Sequence, residues 1–401
     1  VCHLLSGGKH VASVAVLYHA EAEWSGKYMP FEKVVKVLAK RQIDCDVIPI
    51  DTFLNLEALI IERGRFTING EEFKAVVIPY AEKLPVEFLA ALGEIMKMDI
   101  PVFFIDEFPL GTSNVSTGFA EIMDEIRYSS YAYICSCEGL SEKIFEIGLH
   151  EMETSTFEEN LRSYHYIHDK ESIYFLTNES KYMTIYTELK IKVEGYPVLY
   201  DAMSNRIITT DYVIDNGYTK IWLYLQPYES IIILLKNSDQ FSLLKVDPFY
   251  NRSNFTSENI LAGKWKVSTS QAPECSEFSL QPLIRGLGNI SIPSLLPEFS
   301  GTIRYETEFY MTKYVQTRGI CLDLGDVYET AEVWINGKPV GIRICPPYTF
   351  DVMESAVDGR NSLRVDVTNT LAKKLGCNVF DRAMPQEPSG LLGPVKVIFY
   401  K

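Results

Sequence analysis

One cluster rises above the chain's background of charge: Glu21, Glu23 and Trp24, followed at once by Ser25-Gly26-Lys27. An indole flanked by carboxylates suits stacking on a sugar ring, with the acids accepting hydrogen bonds from hydroxyls. Packing at a domain interface is the competing role for the same Trp, and residue type alone leaves both open. Further on, Trp334 and Tyr348 are the aromatics nearest predicted loops. Trp334 falls on the Glu332/Asn336 face of its strand, opposite Val333 and Ile335, so partial exposure is expected; sugar contact and a core role stand as its two readings. Trp265, within Gly263-Lys264-Trp265-Lys266-Val267, reads as structural.

The other chemistry-bearing residue types are sparse. All six His (3, 10, 19, 150, 165, 168) precede residue 169, so the β-rich remainder has no His-based centre. His165 and His168 sit in Tyr164-His165-Tyr166-Ile167-His168 without a third ligand at metal-site spacing. Of the eight Cys, only Cys135 and Cys137 are close, and C-x-C is neither a zinc nor a redox pattern. Most are expected as buried free thiols in a reducing compartment, cytoplasmic rather than secreted. Sequons at Asn114, Asn178, Asn251, Asn254 and Asn289 would matter only in a secreted eukaryotic protein.

Composition narrows the partners. A net charge of −15 and no basic stripe argue against nucleic acid and anionic membranes. No apolar run is long enough to span a bilayer. At 401 residues, two or three domains are expected. The opening Val1-Cys2-His3 lacks an initiator Met and a signal pattern, and reads as the start of a piece of something longer.

The elements that must position these residues fall into three groups. Residues 1–160 alternate buried runs (Val11–His19, Asp46–Ile50, Lys74–Pro79, Val102–Ile105) with helical patterns (Phe31–Arg41, Pro85–Lys97, Thr117–Arg127), and Asn69-Gly70 marks a hairpin. That predicts a doubly wound α/β sheet with any ligand at the strand C-terminal ends. Residues 161–237 read as a small all-β sandwich, from segments such as Thr184–Val193 and Ser230–Leu235, and 238–259 as a polar linker. Residues 260–401 read as a jelly-roll β-sandwich, with Gly301–Tyr310 alternating in and out and Asn336-Gly337 turning Thr330–Ile335 into Pro339–Ile344.

At this point the residues resemble a known group. Phe299-Ser300-Gly301-Thr302-Ile303-Arg304-Tyr305, Leu322-Asp323-Leu324-Gly325, Ala331-Glu332-Val333-Trp334-Ile335-Asn336-Gly337-Lys338, Pro346-Pro347-Tyr348, Asn361-Ser362-Leu363 and Ser389-Gly390-Leu391-Leu392-Gly393-Pro394-Val395 resemble the galactose-binding-like jelly roll of large glycosidases. Leu4-Leu5-Ser6-Gly7-Gly8-Lys9-His10, Val14-Ala15-Val16-Leu17-Tyr18, Glu21-Ala22-Glu23-Trp24 and Leu225-Gln226-Pro227-Tyr228-Glu229-Ser230 are similar to segments of rhamnosidase-type (family 106-like) glycoside hydrolases. The resemblance implies a flavodoxin-like, class I amidotransferase-like α/β domain, a small β-domain and a jelly roll, all following a catalytic (β/α)₈ barrel.

Two chemistries are then testable against the sequence. Amidotransferase activity needs a Cys on a strained strand-to-helix turn, with His and a carboxylate to activate it. Phe103-Phe104-Ile105-Asp106-Glu107-Phe108-Pro109 carries no Cys there, and His150 has no recognisable partner motif. Glycoside hydrolysis needs paired carboxylates about 5–9 Å apart, set in these families on a barrel of roughly 250 residues. Three domains within 401 residues leave no room for one.

The expectation is therefore a non-catalytic C-terminal portion of a glycoside hydrolase, buttressing an upstream barrel of the same polypeptide and contacting carbohydrate. The alternative is a stand-alone carbohydrate-binding or scaffolding protein. No catalytic residue is assigned; Glu21, Glu23, Trp24, Trp334 and Tyr348 are the candidate sugar contacts. No cofactor is called for; the sequence leaves room for a structural calcium in the jelly roll, held by Asp or carbonyl oxygens, without an EF-hand-type motif to mark it.

Overall fold

The computed structural model describes residues 1–55, 59–114, 117–238, 255–272, 277–313, 317–375 and 387–400. They form two compact units, Val1–Leu225 with Ser230–Lys245, and Gln226–Glu229 with Val246–Lys401.

The first unit is built on five parallel strands, in the spatial order Cys45–Pro49, Val14–Tyr18, Ala75–Ile78, Val102–Ile105, Ala132–Cys135. The central three are buried almost throughout, because alternate side chains enter two different cores. Ala15, Leu17, Val76, Ile78, Val102 and Phe104 pack with Phe53, Phe88, Leu92 and Met123 on one face. Val14, Val16, Ala75, Val77, Phe103 and Ile105 pack with Val34, Leu38, Leu140 and Ile144 on the other. Helices Ile50–Leu54, Val86–Lys97 and Phe119–Tyr128 thus cover one face, and Phe31–Ala39 and Leu140–Glu146 the other. In chain order the strands run 2-1-3-4-5, so the winding reverses between Val14–Tyr18 and Ala75–Ile78, where ligands of open α/β sheets usually bind. Asn69 and Gly70, at φ +50° and +90°, turn a small antiparallel ribbon as their residue types predict.

The all-β part of this unit starts earlier than residue 161. Its six-stranded sheet runs Lys9–His10, Leu161–His168, Glu171–Asn178, Ser230–Lys236, Tyr196–Asp201, Arg206–Ile208. Its four-stranded sheet begins with Met152–Thr154, paired to Ile185–Ile191. Two-residue and three-residue strands carry too little periodicity to be read locally; only partners more than 150 or about 35 residues away define them.

The second unit is a β-sandwich. A six-stranded sheet (Ser279–Leu280, Lys266–Gln271, Gly301–Met311, Gly359–Thr368, Thr330–Ile335, Lys338–Arg343) faces a four-stranded one (Phe255–Ile260, Lys396–Tyr400, Gly319–Asp323, Thr349–Asp351). Ile303, Tyr305, Val333 and Val365 of the first share one core with Ile320, Leu322, Val397 and Phe399 of the second. The expected linker, 238–259, is corrected at its end: Phe255–Ile260 is an edge strand paired with Lys396–Tyr400, and residues 239–254 lie outside those described. Asn336 and Gly337 make the expected turn, at φ +54° and +77°.

The Ser389-Gly390-Leu391 segment seats on the core. Leu391 N–H donates to the Tyr305 hydroxyl at 3.1 Å, and Gly390, at φ +106°, sits where any Cβ would collide with that oxygen.

Candidate functional site

Strand Val14–Tyr18 delivers the Glu21/Glu23/Trp24 cluster to the carboxyl end of the parallel sheet, on the short helix Ala20–Ser25. Ala22 is the one residue of that turn in the core, so its neighbours splay into solvent. Glu21 and Glu23 are exposed, and Trp24 is 85% exposed.

The next loops converge beside it. Lys27 N–H donates to Glu82 Oε2 at 2.9 Å, Glu82 N–H to the Lys27 carbonyl at 2.8 Å, and Met29 N–H to the Tyr80 carbonyl at 2.7 Å. Burial, then the negative charge of Glu107, Glu82 and Asp106, pushes the Tyr80 phenol above its ordinary range. This end of the sheet is therefore acidic and aromatic, and Tyr80, Glu82, Asp106 and Glu107 reach it only through the strand order. His19, at the strand end, is buried with Nε2 unpartnered and its ring edge-on to Tyr28; burial lowers its pKa, so it stays neutral.

Asp106 occupies the turn after Val102–Ile105, at φ +66°. Its N–H donates to the Cys135 carbonyl at 2.9 Å. Burial pushes the Cys135 thiol up to about 11 and raises Cys137 as well, so both are protonated and poor nucleophiles at neutral pH. His150 pairs with Glu153 at 2.8 Å and stacks on Phe145. His165 stacks on Tyr174 and pairs with Glu151. Among the described residues no group of three or more His, Cys, Asp or Glu could hold a metal ion.

Trp334 and Tyr348, in the second unit, part company. Trp334 is half-buried on the outer face of the six-stranded sheet, with the Arg364 guanidinium 3.9 Å from its ring centroid. Arg364 also donates to Asp366 at 2.6 and 3.1 Å, and Arg304 grips the same carboxylate through two 2.9 Å bonds. A concavity of about 690 Å³ opens here, lined among others by Lys264, Lys266, Glu306, Glu308, Trp334 and Arg364. Tyr348 is corrected as a surface contact: it is 5% exposed in the sandwich core, and its hydroxyl donates to the Glu329 carbonyl. A loop-adjacent aromatic was drawn inward because its ring fills the space between the sheets. Trp265 is buried edge-on to Tyr305, as expected.

Tyr186 and Trp222, outside the candidates above, are each 46% exposed and stacked at 5.0 Å on neighbouring strands. The alternation Tyr218, Lys220, Trp222 against buried Thr219, Ile221, Leu223 was the signal available. The thiol expectation also needs correcting: of the six described cysteines, Cys137 and Cys321 are buried, Cys45 and Cys135 half-buried, and Cys2 and Cys345 exposed. Asn178, the acceptor residue of one sequon, is fully buried, its amide donating to the Met183 and Leu225 carbonyls.

No protein-family model matches the chain. A rhamnosidase structure from Novosphingobium sp. PP1Y superposes on 98% of this chain and 39% of its own, with TM-score 0.66 and 19% identity. A protein of Formosa agariphila described as "Putative beta-glucuronidase" is 40% identical over 79 residues, which is 19% of this chain and 7% of that protein. A beta-galactosidase from Bacillus circulans sp. alkalophilus aligns with 57% of this chain and 42% of its own at TM-score 0.40 and 12% identity, too distant to carry weight. The chain thus shares its fold with part of that rhamnosidase. The chain spans well under half the length of the rhamnosidase and a small fraction of the glucuronidase-type protein.

Proposed function

We propose that this chain is a non-catalytic C-terminal portion of a glycoside hydrolase, with an amidotransferase-like α/β domain, a small β-domain and a galactose-binding-like jelly roll that buttress a (β/α)₈ catalytic barrel. The observation that carries the reading is the rhamnosidase likeness, which takes in nearly all of this chain but only 39% of the other. The protonated Cys135 and Cys137, with Asp106 at the turn where an amidotransferase needs its Cys, support an α/β domain kept for shape. Carbohydrate is the ligand class implied, with Trp24 exposed at the carboxyl end of the sheet.

The test is hydrolysis of aryl α-L-rhamnosides and aryl β-D-glucuronides by the purified 401-residue chain and by a fusion to the coding sequence that precedes it in its gene. Turnover by the fusion and none by the chain alone is expected. Turnover by the 401-residue chain overturns the reading.

A further inference from the structure

The seam between the parallel sheet and the all-β part of the first unit encloses a small polar cavity. It lies where residues 11–13 and 42–44 meet residues 149–152 and the strand Leu161–His168. Hydrogen bonds knit its wall. Val11 N–H donates to the His165 carbonyl at 3.0 Å, the Gln42 side-chain amide to the Leu161 carbonyl at 2.9 Å, and Ser13 Oγ to Glu151 at 3.4 Å.

Two buried histidines line this cavity, and each has one ring nitrogen engaged and one without a protein partner. His150 is 8% exposed; its Nε2 lies 2.8 Å from Glu153, and its Nδ1 is buried and unpartnered. His165 is 5% exposed; its Nδ1 pairs with Glu151, and its Nε2 is buried and unpartnered. Phe145 stacks on the first ring at 4.0 Å and Tyr174 on the second at 4.1 Å, so neither imidazole is free to turn toward solvent. A buried polar atom left unpaired forfeits its hydration, and native proteins supply a partner in the great majority of cases.

The size and chemistry of the space select that partner. It leaves about 10 Å³ of room for the centre of a water molecule, at the lower edge of the roughly 10–15 Å³ that one water needs. Glu151 and Asp44 in the wall disfavour an anion. Among the described residues no group of three His, Cys, Asp or Glu could hold a metal ion. Burial lowers the His150 pKa, so this ring is neutral near pH 7; its Nε2–H donates to Glu153 and its Nδ1 is an acceptor. Water is donor and acceptor at once. It donates to His150 Nδ1, and it serves His165 Nε2 whether that nitrogen carries a lone pair or a proton.

We propose that this cavity is a binding site for one water molecule, hydrogen-bonded to His150 Nδ1 and His165 Nε2, which pins the two parts of the first unit together at their seam. The inference stands apart from the glycoside-hydrolase reading and uses nothing from it.

The experiment is a high-resolution crystal structure of the 401-residue chain, with water–protein NOE spectroscopy on the same chain in solution. Density for one water within about 3.2 Å of both nitrogens is expected, with NOE contacts from a long-lived water to the two imidazole rings. Ser163 also lines the cavity, and Ser163→Val fills the space with methyl groups. That variant loses the water contacts and exchanges the Val11 amide about tenfold faster, because this amide bonds across the seam to His165.

Three results overturn the assignment: no water within reach of both nitrogens, an anomalous signal from a metal ion in its place, or unaltered Val11 exchange once Ser163→Val has displaced the water. Should Ser163→Val fail to fold, the first two decide from the unaltered chain.

Discussion

His10 Nε2 lies 2.9 Å from an Asp44 carboxylate oxygen, and its Nδ1 lies 3.3 Å from Asp46, joining the first strand of the all-β sheet to the edge of the parallel sheet. Tyr164 stacks on the imidazole at 4.4 Å. Burial alone would lower the His10 pKa, but hydrogen bonds to both carboxylates and their charge raise it to about 10.

This joint makes a prediction about pH. His10 holds its proton more tightly folded than unfolded, so its contribution to stability is complete below its ordinary value of 6.5 and is lost as pH rises through about 10. Its ring proton resonances should not shift between pH 6 and pH 8, which heteronuclear NMR would show. His10→Ala strands two carboxylates and should cost about 2–4 kcal/mol in urea unfolding at pH 7. A cost below about 0.5 kcal/mol would mean the joint is only a surface pair.

The Arg304–Asp366–Arg364 clamp predicts the opposite pH sense. Burial would raise the Asp366 pKa, but the two guanidinium groups hold it below the usual carboxylate range. Its contribution is present above its ordinary value of 3.8 and fades as pH falls through the lower folded value. Asp366→Asn removes the charge shared by both Arg residues and should destabilise the sandwich by about 2–4 kcal/mol at pH 7, read by chemical denaturation.

Thiol reactivity should divide the cysteines by environment. At pH 8 a thiol of pKa about 11 is thiolate roughly one part in a thousand, so Cys135 should react far more slowly with an aromatic disulfide reagent than exposed Cys2 or Cys345. Cys45, pushed up to about 12 by burial and then by Asp44 and Asp46, should be slower still. Peptide mapping after timed labelling measures this, and rapid labelling of Cys135 would argue for an activated nucleophile.

Gly390 and Tyr305 should behave as a coupled pair. Gly390→Ala drives a Cβ into the Tyr305 hydroxyl at a positive φ and should cost about 2–3 kcal/mol. Tyr305→Phe leaves the buried Leu391 N–H without its acceptor, at about 1–2 kcal/mol. The double variant should cost less than the sum, because the oxygen that clashes is gone.

Much of the architecture is legible in residue patterns, for reasons visible at single elements. Ala75–Ile78 and Val102–Ile105 are apolar at every position because both sheet faces are covered, and Gly301–Met311 alternates because only one of its faces is. The turn residues Asn69-Gly70 and Asn336-Gly337 adopt left-handed backbone that their types favour. Lys9–His10, Met152–Thr154 and Phe255–Ile260 escaped the reading because their strand state comes from distant partners rather than from their own periodicity.

The candidate cluster illustrates the same division. That Glu21, Glu23 and Trp24 follow a buried strand, and that one face of the Trp334 strand is polar, could be read from residue order, because both depend on neighbours within a few residues. Folding in three dimensions was needed to bring Tyr80, Glu82, Asp106 and Glu107 together near Lys27, to turn Tyr348 inward and to lay Arg364 over Trp334. Those relations depend on strand order and cross-strand register, which bring together residues that the chain holds far apart.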